Sequence, residues 1–157
     1  MKVEQVMKHD VKACRPHDFL NKAAQLMWEN ACGCVPVVDE HNKPLGILTD
    51  RDICMAAYTQ GKSLADMRAD SAMARKPVCC RSEDEISAAM NLMREKGTRR
   101  LPVVDARGGL VGILSLDDLA CESRRVMRGA VYEELGRLVG DVFSSICVNR
   151  AQNRAPH

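Results

Sequence analysis

The sequence predicts an α/β chain of the α+β kind: two β-α-β-β-α repeats packed with pseudo-two-fold symmetry, plus a C-terminal helix. The first observation is that Leu45-Gly46-Ile47-Leu48-Thr49-Asp50-Arg51-Asp52 returns as Val111-Gly112-Ile113-Leu114-Ser115-Leu116-Asp117-Asp118. The second is that the duplication is much larger than that stretch. Pro36-Val37-Val38-Asp39 matches Pro102-Val103-Val104-Asp105, and Met7, Asp18, Ala23 and Met27 match Met73, Asp84, Ala89 and Met93. Every pair is offset by 66, so the copies align without a gap from Val3 to Met55. The third is size: one copy alone buries too little surface to be comfortably stable, so 157 residues read as two halves sharing a core.

Each element follows from local pattern. Val3 to Met7 and Ala69 to Met73 read as short turns leading into each copy, and Val11 to Cys14 and Val78 to Cys80 as short extended segments. Helices are expected to open near Asp18, a suitable N-cap, and near Ser82 or Asp84, where Ser82-x-x-Glu85 is a capping-box pattern. Leu20, Ala23, Ala24 and Met27, then Ile86, Ala89, Met90 and Met93, form apolar stripes at helical spacing. Cys34 to Val38 and Arg100 to Val104 read as buried strands, with Pro36 and Pro102 arguing for edge or strand-start positions. Turns at Asp39 to Pro44 and Asp105 to Gly109 lead into the Gly-led strands. Thr49-x-x-Asp52 and Ser115-x-x-Asp118 then start the second helix of each copy.

The division expected is 1–57 for the first repeat, 58–67 for a linker, 68–121 for the second repeat, 122–148 for an amphipathic helix and 149–157 for a disordered tail. The long helix is read from Glu122 to about Cys147, with Met127, Val131, Leu135, Leu138, Val142 and Ile146 on one stripe. Gly129, Gly136 and Gly140 each weaken it by roughly 1 kcal/mol relative to Ala, so packing must hold it.

Composition narrows the function classes. A net charge of +2 and 3% aromatic residues give no basis for nucleic-acid or membrane-surface binding. The chain has no run of eighteen apolar residues, and Met1-Lys2-Val3-Glu4-Gln5 has no signal-peptide core, so a cytoplasmic location is expected. Eight cysteines (Cys14, Cys32, Cys34, Cys54, Cys79, Cys80, Cys121, Cys147) are then expected reduced, and no paired C-x-x-C cluster indicates a metal. No P-loop, G-x-S-x-G, H-E-x-x-H or G-x-G-x-x-G is present, so the chain is not expected to be an enzyme and no cofactor is expected to be required.

The ordered signals V-x-x-V-M, Pro16-His17-Asp18-Phe19-Leu20 with Ser82-Glu83-Asp84-Glu85-Ile86, A-x-x-x-M, P-V-V-D and G-I-L-[TS]-x-x-D occur twice in register. Over about Val3 to Cys121 they resemble tandem CBS (cystathionine β-synthase) domains, which occur as regulatory modules and as stand-alone proteins. The resemblance implies a β-α-β-β-α unit and two clefts that in many members hold AMP, ADP, ATP, S-adenosylmethionine or an NAD-type dinucleotide. It implies that Asp52 with Thr49, and Asp118 with Ser115, hold ribose and lie near phosphate. It also implies that main-chain groups at Lys12-Ala13 and Val78-Cys79 meet adenine, with Pro36 and Pro102 completing the ligand-binding set. Arg99 or Arg100 would reach phosphate, with Arg51 a further candidate. The chemistry agrees: a carboxylate accepts from both vicinal hydroxyls of a ribose, and helix N-terminal N–H groups suit phosphate.

Departures from the pattern make the two clefts unequal. The first copy has Gly33-Cys34 where the second has Arg99-Arg100, and Ala13 where many members have Thr. The cleft with Ser115, Asp118 and Val78 to Cys80 ranks higher. The function implied is a non-catalytic adenosine-nucleotide sensor that modulates a partner protein, as a homodimer formed through Ile53 to Ala57 and Leu119 to Ser123. One alternative is a ligand-free interaction scaffold that docks a partner on the Val126 to Ile146 face. Another is a thiol redox or metal sensor built on the repeat-equivalent Cys14 and Cys80.

Overall fold

The computed structural model describes residues 1–125 and 130–152. They form an α+β chain with six strands and five α-helices, grouped in two compact units. One unit comprises Asp10–Pro77 and Val104–Val111, the other Met1–His9, Val78–Val103 and Gly112–His157. The segment preceding each repeat therefore belongs to the unit of the other repeat. Sequence alignment did not reveal that exchange, because the offset of 66 matches segments without saying which copy each one packs on.

The first unit runs α1 (Leu20–Glu29), β1 (Cys34–Val38), β2 (Pro44–Thr49), α2 (Asp50–Gln60) and β3 (Ala74–Arg75). Its sheet has the order β1-β2-β3, and β1 pairs antiparallel with β2 so that Cys34 faces Thr49. Cys14 adds a parallel bridge to Val37. Inside, Leu20, Ala23, Met27, Val35, Val37, Leu48 and Ile53 form one apolar cluster, which is the α1 stripe read from the sequence joined to the strand interiors.

The second unit repeats the pattern with β4 (Cys80–Arg81), α3 (Ile86–Lys96), β5 (Arg100–Val104), β6 (Leu110–Ser115) and α4 (Leu116–Arg125), then adds α5 (Ala130–Gln152). Its sheet has the order β4-β5-β6. Pro102 therefore lies in the middle of a central strand, where an edge or strand-start position was expected; β4 beside it is only two residues long.

The helix starts also differ from expectation, and in the same way twice. Asp18 does not cap α1: its carboxylate accepts from the Arg15 N–H at 2.7 Å, closing the turn before the helix. Asp84 does the same for the Arg81 N–H at 2.8 Å, and the Ser82-x-x-Glu85 box does not form. The first helical N–H is taken instead by a carbonyl of the lead-in segment, Leu20 by Met67 at 2.8 Å and Ile86 by Met1 at 2.9 Å. Short-range capping rules missed this because the acceptor is distant in sequence.

α2 runs past Ala57 through Tyr58 to Gln60 and stops at Gly61, whose φ of 63° is left-handed and suits glycine. Of the helix expected from Glu122 to about Cys147, Glu122–Arg125 close α4 and Ala130 onward forms α5; residues 126–129 lie outside the described residues. Met127 of the expected stripe, the weakening Gly129 and residues 153–157 of the expected tail lie outside the described residues, whereas residues 149–152 of that tail continue α5. Leu135, Val142 and Ile146 are buried, since α5 packs against α3 and α4 of its own unit. The face offered to a partner in the scaffold alternative is thus used within the chain.

Candidate functional site

Each unit carries one strand-to-helix junction of the motif. In the first, Thr49 ends β2 and caps α2: its hydroxyl accepts from the Asp52 N–H at 3.2 Å. In return Asp52 Oδ2 accepts from the Thr49 N–H at 2.9 Å and the Thr49 hydroxyl at 2.7 Å. This reciprocal box contributes on the order of 1 kcal/mol to the helix start. The Asp50 N–H donates to the Gly33 carbonyl at 3.3 Å, and the Arg51 N–H to the Asp50 carboxylate at 2.7 Å.

The second junction repeats the hydroxyl–carboxylate bond and the helix-start bond with different neighbours. The Asp118 N–H donates to Ser115 Oγ at 3.1 Å, and Ser115 Oγ donates to Asp118 Oδ2. Ser115 is 9% exposed, the single buried polar side chain among the described residues. The Leu116 N–H donates to the Arg99 carbonyl at 2.9 Å, so Arg99 stands beside the start of α4 as Gly33 stands beside α2. Lys8, from the lead-in segment, brings its ammonium 3.2 Å from Asp118 Oδ1. Nothing in the local sequence pattern pointed to Lys8, because its relevance depends on the exchange of lead-in segments.

The other expected site residues divide between the two units. Lys12, Ala13, Pro36 and Arg51 fall with Thr49 and Asp52; Val78, Cys79, Arg100 and Pro102 fall with Ser115 and Asp118. Cys14 donates its N–H to the Pro36 carbonyl at 3.0 Å, and its bridge to β1 is parallel. Lys12 and Ala13 therefore lie toward the Cys34 end of β1, the end at which Thr49 faces it. Lys12 itself pairs with Asp10 at 2.8 Å on the surface. Arg51 is exposed on the first turn of α2, while Arg99 and Arg100 are half-buried.

The acids of P-V-V-D are turn formers. Asp39 Oδ1 accepts from the N–H groups of His41 and Lys43, and Asp105 Oδ1 from those of Arg107 and Gly109. Those backbone donors, Lys43 foremost for Asp39 and Gly109 for Asp105, hold both carboxyls below the usual range.

None of the eight cysteines forms a disulfide. Burial, followed by the charge of Asp18, pushes the Cys14 thiol up to about 11; burial, followed by Asp84, pushes Cys80 up to about 12. Thiols held protonated are poor nucleophiles. Near neutral pH, iodoacetamide is expected to modify the exposed Cys54, Cys121 and Cys147 while sparing Cys14 and Cys80 until the chain is unfolded, as read by peptide mass spectrometry. A thiol raised above its unfolded value of 9.0 stabilises the fold fully below that pH. Its contribution is lost as pH rises toward 11 to 12, so stability is expected to fall in that alkaline window. No group of three or more metal-ligating side chains occurs among the described residues, and no helix of theirs is long and apolar enough to cross a membrane.

A family model described as "CBS domain" matches residues 3–58 and 69–125. The CBS domain-containing protein YhcV of Bacillus subtilis is 35% identical over 118 residues, 75% of this chain and 82% of that protein. The uncharacterized protein MK0525 of Methanopyrus kandleri is 34% identical over 117 residues, 74% of this chain; the match spans 60% of the relative's length. Among solved structures, CBSX2 in complex with AMP superposes with a TM-score of 0.69 at 25% identity, covering 81% of this chain and 98% of that one.

Proposed function

The chain belongs to the CBS domain family, and from that premise we propose that it is a non-catalytic regulatory module binding an adenosine-containing ligand. The observation that carries the reading is the hydroxyl–carboxylate pair at the start of α2 and again at the start of α4. These are Thr49 with Asp52 and Ser115 with Asp118, at repeat-equivalent positions. In each, the hydroxyl holds one carboxylate oxygen toward the helix N-terminus and leaves the acid in position to accept from ribose hydroxyls. Support also comes from the AMP complex of the similar CBSX2. Main-chain groups at Lys12-Ala13 and Val78-Cys79 then meet the adenine, and Pro36 and Pro102 belong to the same surroundings.

Ligand binding acts on an effector protein through linkage: a ligand that prefers one conformation shifts the population toward it and changes effector affinity by the same factor. The module works in the cytoplasm as a homodimer through α2 and α4, the helices that carry Ile53 to Ala57 and Leu119 to Ser123; α2 exposes Met55 and Tyr58 at 44% and 81%.

Isothermal titration against AMP, ATP, S-adenosylmethionine and NADH tests the reading. Saturable binding is expected for at least one of them. In Asp52→Ala/Asp118→Ala it is expected to weaken by roughly tenfold to a hundredfold per lost charged hydrogen bond. A folded wild-type protein that binds none of the four, or a variant that binds as the wild type does, would reject it.

A further inference from the structure

The two copies treat one repeat-equivalent group of side chains in opposite ways. In the first copy the group is bonded within the chain. The Lys22 ammonium lies 2.9 Å from Asp18 Oδ1, Gln25 Nε2 donates to Glu29 Oε1 at 2.7 Å, and the Cys14 thiol donates weakly to the Pro36 carbonyl at 3.9 Å. In the second copy Asp84, Glu95 and Cys80 stand at the positions of Asp18, Glu29 and Cys14, but Ala88 replaces Lys22 and the shorter Asn91 replaces Gln25. Asp84 Oδ2 still accepts from the Arg81 N–H, as Asp18 Oδ2 accepts from that of Arg15. Asp84 Oδ1, the equivalent of the oxygen that takes the lysine, has no donor among the described residues, and neither has Glu95.

These unbonded groups share one cavity. Cys80, Asp84, Ala88, Asn91, Leu92 and Glu95 line a space of about 390 Å³ within the second unit. Cys80 is 5% exposed, and its thiol has no acceptor among the described residues, so a buried unpaired donor is part of the wall. No cation lines the space. Arg81 is drawn to Glu83 at 3.5 Å. Arg94 and Lys96 flank Glu95 in sequence, but each is turned about 100° from it around α3. Their charge weakens the Glu95 end and leaves Asp84 as the stronger anchor.

We propose that this cavity binds a linear aliphatic amine, with its ammonium on Asp84 Oδ1 in the place that Lys22 holds in the first copy. The duplication supplies the template, because the same carboxylate oxygen there takes a primary ammonium at 2.9 Å. The carbon chain lies along Ala88 and Leu92, and a second ammonium finds the Asn91 amide oxygen and the Glu95 carboxylate. Ala88 to Glu95 spans roughly 10 Å at the helical rise, a length that suits a di- or triamine better than a compact cation. A metal ion is not the match, since no group of three metal-ligating side chains occurs among the described residues. None of the six lining residues belongs to the adenosine-ligand set, so the proposal stands apart from that reading.

The test is isothermal titration of spermidine, at fixed ionic strength, into the wild-type chain, Asp84→Asn, Ala88→Lys and Asp18→Asn. Asparagine at 84 removes the charge while keeping an acceptor for the Arg81 N–H. Lysine at 88 restores the internal bond of the first copy on an exposed helical position. Saturable binding is expected for the wild type, about tenfold weaker in Asp84→Asn, the loss of one charged hydrogen bond. It is expected to vanish in Ala88→Lys, whose thermal midpoint should be no lower than that of the wild type, and to change by no more than about twofold in Asp18→Asn. Absence of saturable binding to the wild type, equal weakening in the two Asp→Asn variants, or undiminished binding in a folded Ala88→Lys would overturn the proposal. A lysine-bearing peptide that binds more tightly than spermidine would overturn the assignment to a free amine.

Discussion

Replacing Ile146 by Ala is expected to destabilise the fold by about 2–5 kcal/mol, the usual cost of emptying a large apolar site. Ile146 is 2% exposed on α5, with Val142 at 3% and Leu135 at 5% on the same stripe, and α5 packs against α3 and α4. Helix propensity does not hold α5 by itself, because Gly136 and Gly140 sit in its interior and each costs roughly 1 kcal/mol. A helix of weak propensity draws its stability from its buried face, so loss of that face loosens the whole element. Phe143 is the control: it is 50% exposed on the same helix, and Phe143→Ala is expected to cost less than about 1 kcal/mol. Urea denaturation of the two variants separates the cases. Equally small losses would mean that the α5 stripe is not packed on its own chain, and the scaffold alternative would regain its docking face.

The legible part of this fold was what repeats locally. The Gly-led strands, the apolar stripes of α1 and α3, and the hydroxyl-led helix starts at Thr49 and Ser115 follow from residue type and spacing over a few positions, and these stand in the structure. What the sequence concealed depends on contacts between distant segments. Asp18 and Asp84 have N-cap chemistry, yet they close turns because Met67 and Met1 carbonyls already satisfy the first helical N–H groups. Lys8 reads as a surface lysine until its segment is placed against β6, where it donates its N–H to the Ile113 carbonyl at 2.9 Å and brings its side chain to Asp118. The candidate site divides in the same way. Its hydroxyl–acid pairs came from the motif, and the charge that distinguishes them came from the fold.

The lead-in segments also explain why each motif begins with glycine, and the consequence is a large expected effect. A Cβ on Gly46 would lie 2.5 Å from Met73 Sδ and 2.9 Å from the Ala74 carbonyl oxygen. On Gly112 it would lie 2.6 Å from Met7 Sδ and 2.9 Å from the Lys8 carbonyl oxygen. The methionines are flexible enough to move aside, but the carbonyls are not. Ala74 belongs to β3, paired with Ile47, and the Lys8 carbonyl accepts from the Ile113 N–H at 3.0 Å. Gly46→Ala and Gly112→Ala are therefore expected to lose about 1–3 kcal/mol each through overpacking, read as a lower midpoint of thermal unfolding. Shortening the methionine does not remove the backbone clash, so Gly46→Ala/Met73→Ala is expected to recover none of that loss. The same substitution at Gly140, which has open space around the added Cβ, has the opposite expected sign: a gain of up to about 1 kcal/mol from better helix propensity. Wild-type stability in Gly46→Ala and Gly112→Ala would mean that the lead-in segments do not press on these strands. The placement of Lys8 beside Asp118 would then lose its structural basis, because the segment that a Cβ at position 112 would strike is the one that carries Lys8.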